Sequence, residues 1–378
     1  MLVVTSRGCL GVFATLVGCG EASVPSPLCS QDAGGSSLIV LETDQQRRLS
    51  AIARLERDGC LREVPDVALG SDPSLSVKQG RAFVNVRDEG VVLELDPKTL
   101  TLKRSFAAYT EGERQPNPQD LDVDDSGNIW ITRYDMNSLA RLSSRGQFLG
   151  VTNLAAAADA DGRPEMGAIT IVKGRAYVSM ELLDRLHNYA PSGPGKIAVV
   201  DVASPDQIVT TLELPGRNPF GAFVLDPDDP GKRWVVLPGR FEQIEPDTGI
   251  AMLDLKSGVS ELRVGESALG GSPIEVAIAS ASEAYATVAA PDVPANAMFL
   301  VRFNPSTGSV GQVLSDTRAS DRPGFFYAGL ALTKKAIVVG DRTPGKARLR
   351  WFDRQTGKET AAVPTRVAAP LSIANVAD

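Results

Sequence analysis

The feature that most constrains this chain is a pair of short apolar segments that recurs seven times along its 378 residues. The first segment of each pair is rich in β-branched and aromatic residues, and the second ends in a turn. The seven turns begin at residues 56, 96, 143, 201, 254, 304 and 353. Their spacing of roughly 40–58 residues is typical of β-propeller blades, in which each repeat forms one antiparallel sheet.

The turns have a common chemistry. Clear copies occupy residues 96–99, 254–258, 304–308 and 353–357, and weaker copies occupy 56–59, 143–146 and 201–204. An Asp or Asn at the first position bonds backbone two residues further on, and Gly takes the left-handed conformation that closes a short hairpin. We therefore expect each turn to join two antiparallel strands of one blade.

A third type of segment, which follows a proline in most copies, precedes every repeat except the first. Its copies begin near residues 73, 118, 165, 219, 273 and 325, and the seventh, PLSIANVAD, occupies 370–378. We expect this last copy to supply the innermost strand of blade 1, the closure by which propellers avoid free edges. The predicted fold is all-β, a seven-bladed β-propeller of four-stranded antiparallel blades closed by the C-terminal strand. Six blades followed by an independent tail is the alternative.

The third repeat, NPQDLDVDDSGNIWITRYDMNSLARLSSRGQF at 117–148, resembles the repeat of NHL-type and streptogramin-lyase-like propellers. Other repeats have endings such as LDLKSG at 253–258, which resemble YVTN (YncE-like) repeats. As architecture the resemblance covers residues 37–378. It implies a propeller that can carry a binding site, and it implies no particular activity.

The N-terminus has a different composition. Arg7 precedes a short apolar stretch that ends in Leu16-Val17-Gly18-Cys19, which resembles the lipobox of bacterial lipoprotein signal peptides. The resemblance implies that 1–18 is a signal peptide and that Cys19 is lipidated, for example with palmitate. Residues 19–36, rich in Ser, Pro, Gly and Ala, then form a flexible tether, and 37–378 form the propeller. An ordinary signal peptide with a chance cysteine is the alternative.

Gly20 follows the expected lipidation site, as in lipoproteins sorted to the outer membrane. The predicted location is therefore the bacterial cell envelope, with the outer membrane favoured and with membrane contact through the lipid only. The formal net charge of −7 and the lack of a Lys/Arg run argue against nucleic acid. We expect a monomer whose partner is a protein, a peptide or a glycan.

Cys29 and Cys60 are expected to form a disulfide that fastens the tether to blade 1. After lipidation of Cys19 and removal of the signal peptide they are the remaining thiols, in an oxidising compartment. Two unpaired thiols are the alternative.

The loops of the predicted blades are short at one end of the ring and long at the other. We use "upper face" for the end of the ring where the innermost strands begin, and "lower face" for the opposite end. The loops predicted on the upper face are long, which favours binding there. Arg133, Asp135, Arg240 and Glu242 lie in these loops and are the predicted ligand-binding residues.

Four oxygen-bearing residues stand at the predicted upper starts of innermost strands: Asp120, Glu165, Asn218 and Glu275. Innermost strands converge on the central channel, and hard cations prefer such oxygen ligands. The lactonase-like SMP-30 propellers are similar in holding a divalent metal at such a position. The hypothesis is a cation such as calcium, and the alternative is four polar residues at a wet channel mouth. No cofactor is required by the sequence.

Other candidate motifs are incomplete. The segment 122–127 opens like an EF-hand loop, but its twelfth position is Arg133 in place of Glu. His187 is the only histidine and has no partners for a catalytic triad or a His-rich metal site, so no catalytic residue is assigned. The predicted function is a binding or scaffold module, and the alternative is a metal-dependent hydrolase or lyase.

Overall fold

A computed structural model describes residues 28–30, 37–44, 49–64, 67–113, 116–206, 208–241, 243–291, 297–317 and 326–376. Two predicted site residues, Cys19 and Glu242, lie outside this part of the chain. The described residues form seven antiparallel sheets arranged as the blades of a propeller. The predicted fold class is confirmed.

Most blades consist of four strands that follow one another in the chain. Blade 1 is the exception, because the C-terminal strand joins β1 (Leu28–Cys29), β2 (Leu38–Thr43), β3 (Ser50–Leu55) and β4 (Cys60–Val64) in its sheet. Blade 2 holds β5 (Pro73–Lys78), β6 (Arg81–Val86), β7 (Val91–Leu95) and β8 (Leu102–Ala107). Blade 3 holds β9 (Pro118–Val123), β10 (Ile129–Arg133), β11 (Ser138–Leu142) and β12 (Phe148–Asn153).

Blade 4 carries an insertion. Its four main strands are β13 (Met166–Val172), β14 (Arg175–Met180), β17 (Lys196–Asp201) and β18 (Ile208–Glu213). A small hairpin, β15 (Leu183–Asp184) and β16 (Ala190–Pro191), lies between the second and third of them. Its tip contains the 3₁₀ turn Arg185–His187, and another 3₁₀ turn, Ala155–Ala157, precedes the blade.

The last three blades complete the ring. Blade 5 holds β19 (Phe220–Leu225), β20 (Lys232–Leu237), β21 (Gly249–Asp254) and β22 (Ser260–Gly265), followed by the short helix α1 (Glu266–Leu269). Blade 6 holds β23 (Ser272–Ser280), β24 (Glu283–Ala290), β25 (Ala297–Phe303) and β26 (Val310–Asp316). Blade 7 holds β27 (Tyr327–Leu332), β28 (Ala336–Asp341), β29 (Arg348–Asp353) and β30 (Glu359–Pro364). The last strand, β31 (Ala369–Asn375), joins blade 1.

The closure of the ring is the predicted one. Strand β31 pairs antiparallel with β2, with Ile373 opposite Val40, and becomes the innermost strand of blade 1. Arg342 of blade 7 donates hydrogen bonds to the carbonyl oxygens of Ala369 and Pro370, at 3.2 and 2.6 Å, and of Thr43, at 3.3 Å. One arginine therefore ties the last blade to both strands of the seam.

The apolar core lies between the blades. The described residues form seven clusters of buried apolar side chains, and each cluster draws on two neighbouring blades. The cluster at the seam contains Val40, Val338, Trp351 and Ile373. The innermost strands β5, β9, β13, β19, β23, β27 and β31 contact one another in that order around the channel.

The Cys29–Cys60 disulfide is confirmed. Strand β1 adds a fifth strand to blade 1 outside β4, with Cys29 directly opposite Cys60. Backbone pairing thus places the two cysteines side by side, because Cys60 begins β4 just after the lower turn at Gly59.

Candidate functional site at the upper face

The lower face is closed by the turns that the sequence predicts. Three of these turns begin at Asp96, Asp254 and Asn304. In each, the first side chain accepts hydrogen bonds from the backbone N–H groups two and three residues further on, at 2.8–3.1 Å. The EF-hand-like segment is such a turn as well, because Asp124 accepts from the backbone of Ser126 and from the Trp130 indole. These side chains are satisfied within the hairpins.

The upper face carries the insertion of blade 4. Asp184 accepts hydrogen bonds from the backbone N–H groups of Leu186 and His187 and so fixes the tip of the β15–β16 hairpin. Leu186 and Tyr189 project from this tip, with 85% and 52% of their surface exposed. His187 is exposed, and its Nδ1 lies 2.6 Å from Asp184 Oδ2 within the same hairpin.

Three residues in the left-handed conformation mark the upper starts of blades 3, 4 and 5: Asn117 (φ 49°), Glu165 (φ 42°) and Asn218 (φ 54°). Each side chain bonds to the loop between the second and third strands of its own blade. Asn117 donates to Asp135, Glu165 accepts from the backbone N–H of Leu183, and Asn218 donates to the carbonyl of Gly239. Asn tolerates this conformation, whereas Glu does so at a cost in strain. Glu165 is therefore held by its surroundings.

Arg185 connects the hairpin of blade 4 to blade 3. Its Nε donates to Glu165 Oε1 at 2.7 Å, and another guanidinium N–H donates to Asp135 Oδ1 at 2.7 Å. The guanidinium also lies 5.6 Å from the ring centre of Tyr134 and 5.8 Å from that of Tyr189. Two carboxylates and two aromatic rings thus enclose one cation.

Glu181 directly follows β14 and lies beside this group, with 6% of its surface exposed. Its Oε2 accepts a hydrogen bond from the Tyr134 hydroxyl at 3.0 Å. Burial raises the pKa of Glu181 to about 8, and the nearby charge of Glu165 adds to the rise. Burial also raises the pKa of Glu165 to about 7, against the opposing effect of Arg185. Such raised pKa values are typical of functional sites, although structural networks produce them too.

The four predicted metal ligands have separate partners. Asp120 accepts from Ser76 Oγ at 2.7 Å and from the backbone N–H of Ile169 at 3.1 Å, and Glu275 accepts from the backbone N–H of Gly329 at 3.1 Å. Glu165 and Asn218 bind the loops of their own blades, as described above. No group of three or more His, Cys, Asp or Glu residues that could hold a metal ion occurs among the described residues. The structure does not bring the four together as such a group.

The predicted ligand-binding residues differ in their exposure to solvent. Arg240 is exposed, and Asp135 is half-buried with its carboxylate held by Arg185 and Asn117. Arg133 is fully buried, contrary to expectation. As the last residue of β10, it turns inward and donates to the carbonyls of Ser138 and Ala108 and to Glu113, so it is not available to a ligand. Sequence reasoning missed Glu181, Arg185 and Tyr134, whose roles depend on contacts between blades.

A shallow cavity of about 350 Å³ lies elsewhere on the upper face, at the seam between blades 7 and 1. Arg342, Thr343, Pro344 and Ala369 are among its lining residues. It is open to solvent and separate from Glu181. Arg342, which lines it, holds the closure of the ring.

Within the described ranges, no helix has the length and apolar character needed to cross a membrane.

Comparison with known proteins supports the fold and no narrower assignment. No protein-family model matches the sequence, and no curated protein matches it significantly. A putative 6-phosphogluconolactonase from Bacteroides uniformis is similar in structure, with a TM-score of 0.60, 10% identity and coverage of 90% of this chain and 98% of that one. The hydrazine synthase of Kuenenia stuttgartiensis has a TM-score of 0.56 and 15% identity, with coverage of 82% of this chain and 92% of that one. A streptogramin B lyase has a TM-score of 0.53 and 15% identity, with coverage of 79% of this chain and 86% of that one. At such identities the likeness shows a β-propeller shared with functionally diverse proteins.

Proposed function

We propose that this propeller is a binding module of the bacterial cell envelope that recognises a protein, peptide or glycan through its upper face. The observation that carries the proposal is the exposed apolar surface on the loops of blades 4 and 5. Leu186 and Tyr189 project from one loop, Ile244 is exposed on the next, and Phe220 stacks edge-on against Phe241 with ring centres 5.6 Å apart. Exposed apolar and aromatic side chains grouped on one face are typical of interaction sites.

The geometry gives less support to the alternative, a metal-dependent hydrolase or lyase at the channel mouth. Asp120 and Glu275 already accept hydrogen bonds from the neighbouring innermost strand, and Glu165 is paired with Arg185. A cation at this place would have to compete with these contacts. The binding module is therefore the better supported of the two functions.

Anchoring is part of the proposal. Cys19 is the expected lipidation site, and the disulfide attaches the segment that follows it to the outer edge of blade 1. The lipid would be the only membrane contact, and the propeller would act as a monomer.

The test is the double variant Leu186→Ser/Tyr189→Ser, which removes two exposed apolar side chains and leaves the core intact. We expect at least about tenfold weaker capture of partners from an envelope extract, because a few aromatic and apolar residues dominate most interfaces. The matched control is Val209→Ser/Val259→Ser, which removes two side chains with 54% and 53% exposure away from the upper face. Equal capture by wild type and both variants, measured by quantitative pull-down and by glycan array, would contradict an upper-face site.

A further inference from the structure

A short strap, residues 365–368, closes the ring on the upper face. It joins β30, the outermost strand of blade 7, to β31, the innermost strand of blade 1. Three successive backbone N–H groups of the strap bind carboxyl groups of blade 1. Two of them donate to Glu63 Oε1, at 3.0 and 3.2 Å, and the third, that of Ala368, donates to Glu42 Oε2 at 3.2 Å. Two acidic side chains therefore hold the segment that leads into the closing strand.

Glu42 is buried at this seam without a counter-charge. It lies on β2, opposite Pro370 of β31, and none of its surface is exposed. Its Oε1 atom is buried and has no hydrogen-bond partner among the described residues. No lysine or arginine of the described ranges forms an ion pair with the carboxyl group. Burying a carboxylate in this way costs far more than burying the neutral acid. The geometry therefore favours the protonated form of Glu42.

The charged groups around Glu42 act in the same direction. Glu63 binds the N–H group directly before that of Ala368, so the two carboxyl groups are neighbours, and the charge of one opposes ionisation of the other. Arg342 of blade 7 bonds to carbonyl oxygens of the seam, and β31 has no titratable residue. The other charged residues on the surrounding elements are Asp44, Arg54, Arg62 and Arg366. Burial raises the pKa of Glu42 to about 8, the N–H group of Ala368 opposes the rise, and the charge of Glu63 adds to it.

Ionisation of Glu42 and closure of the strap therefore oppose each other. With the strap open, the carboxyl group reaches water and titrates near its ordinary pKa of 4.5, whereas in the closed ring it keeps its proton up to about pH 8. Between these two values the closed state binds more protons than the open state. The closed state consequently loses stability as the pH rises, and the loss is complete above about pH 8.

We propose that the strap and β31 form a pH-sensitive latch, which is firmly closed while Glu42 carries its proton and is loosened once this carboxyl group ionises. The inference goes beyond the proposed function, because it concerns the closure of the ring and needs no ligand. Loosening frees the N–H groups of the strap and weakens the pairing of β31 with β2. The solvent-open cavity of the seam, which Ala369 lines, lies directly beside the strap and gives water access to it.

Hydrogen–deuterium exchange of the full-length protein, read by mass spectrometry at pH 6.5 and pH 9, measures the latch. Exchange times are scaled to the intrinsic exchange rate at each pH. We expect the protection of peptides from 365–376 to fall at least about tenfold between the two conditions, because the open state gains from the free ionisation of Glu42. Peptides from 208–220, which contain the corresponding crossing from β18 to β19, are the internal reference and should change by less than about twofold.

Three variants assign the effect to its residue. Glu42→Gln has nearly the same shape, keeps an acceptor for Ala368 and has no charge to gain, so the protection of 365–376 should stay within about twofold across the range. Glu89→Gln, which removes an exposed carboxylate of blade 2, is the matched control and should keep the wild-type dependence on pH. Glu63→Gln removes the like charge beside Glu42, so the loss of protection should move to lower pH. This last variant tests the latch even if Glu42→Gln does not fold.

Three results would overturn the inference. The first is equal protection of 365–376 at both pH values in the wild-type protein. The second is a dependence on pH that Glu42→Gln leaves unchanged, or, where that variant does not fold, one that Glu63→Gln does not shift. The third is a loss of protection that is equally large in 208–220, because the whole ring would then open rather than its seam.

Discussion

Asp120 and Glu275 illustrate what acidic residues do on the innermost strands. Each accepts a hydrogen bond from a backbone N–H of the innermost strand in the next blade, Ile169 and Gly329 respectively. Asp122 does the same for Ile171 at 2.7 Å. Neighbouring blades are separate sheets, so their innermost strands cannot pair with each other, and buried backbone donors need another acceptor. Carboxylates on the innermost strands supply it.

For single residues, the sequence predicts hydrogen bonds to nearby backbone well and contacts with residues far along the chain poorly. The turn residues, such as Asp96 and Asp254, bond within a few residues of themselves, so their roles follow from spacing alone. The role of Arg133 depends on Ala108 and Glu113 of the preceding loop, and the role of Glu181 depends on a tyrosine 47 residues away. A charged residue in an apparent loop gives no signal that it turns inward.

Replacing Arg133 with Met tests its structural role. The change keeps much of the side-chain volume but removes hydrogen bonds to Ser138, Ala108 and Glu113, leaving buried carbonyl oxygens without donors. We expect a loss of about 2–4 kcal/mol in the free energy of unfolding. The exposed Arg240, changed in the same way, should stay within about 0.5 kcal/mol of wild type. Urea denaturation measures both, and equal stabilities would show that Arg133 is not a structural residue.

At the scale of strands, the repeat predicts blades because each blade needs several strands of alternating pattern and a fixed turn. The strands that lie outside this repeat, β1 and the β15–β16 hairpin, have no such pattern. Strand β1 has two residues, as do both strands of the β15–β16 hairpin, too few for any periodicity. Their structure depends on what they pair with, and for β1 that is β4, joined through Cys29 and Cys60.

Strand β31 should be indispensable. Deleting 369–378 removes Ile373 from the core cluster at the seam and takes away the carbonyl oxygens of Ala369 and Pro370 that Arg342 binds. It also exposes the inner edge of β2, which pairs with β31. Ile373 alone is worth about 1.5–3 kcal/mol. We expect calorimetry to show a much lower melting temperature or no cooperative transition, whereas deleting only 377–378 should have little effect. Melting of the longer truncation at the wild-type temperature would refute the closure.

At the scale of the whole molecule, the disulfide of blade 1 lies at the lower end of the ring. Cys29 lies beside Cys60 at the lower end of β4, so the described chain begins at the lower outer rim of blade 1. Cys19 and Cys29 are ten positions apart in the sequence. A chain of that length spans at most about 36 Å. With a lipid on Cys19, this rim would stay near the membrane and the upper face, with Glu181 and the hairpin of blade 4, would point away from it.

This arrangement depends on Cys19, which Cys19→Ser removes without changing the propeller. The variant should leave the membrane fraction and take up no labelled fatty acid, because a lipid chain is the only membrane element that the proposal contains. Cys29→Ser is the matched control. It keeps the lipidation motif but breaks the disulfide, so it should stay with membranes while losing roughly 3–4 kcal/mol of stability from the loop of about 30 residues. Fractionation in high salt separates lipid anchoring from charge-based adhesion. If Cys19→Ser still sediments with membranes under those conditions, the anchor lies elsewhere and the outward orientation of the upper face loses its basis.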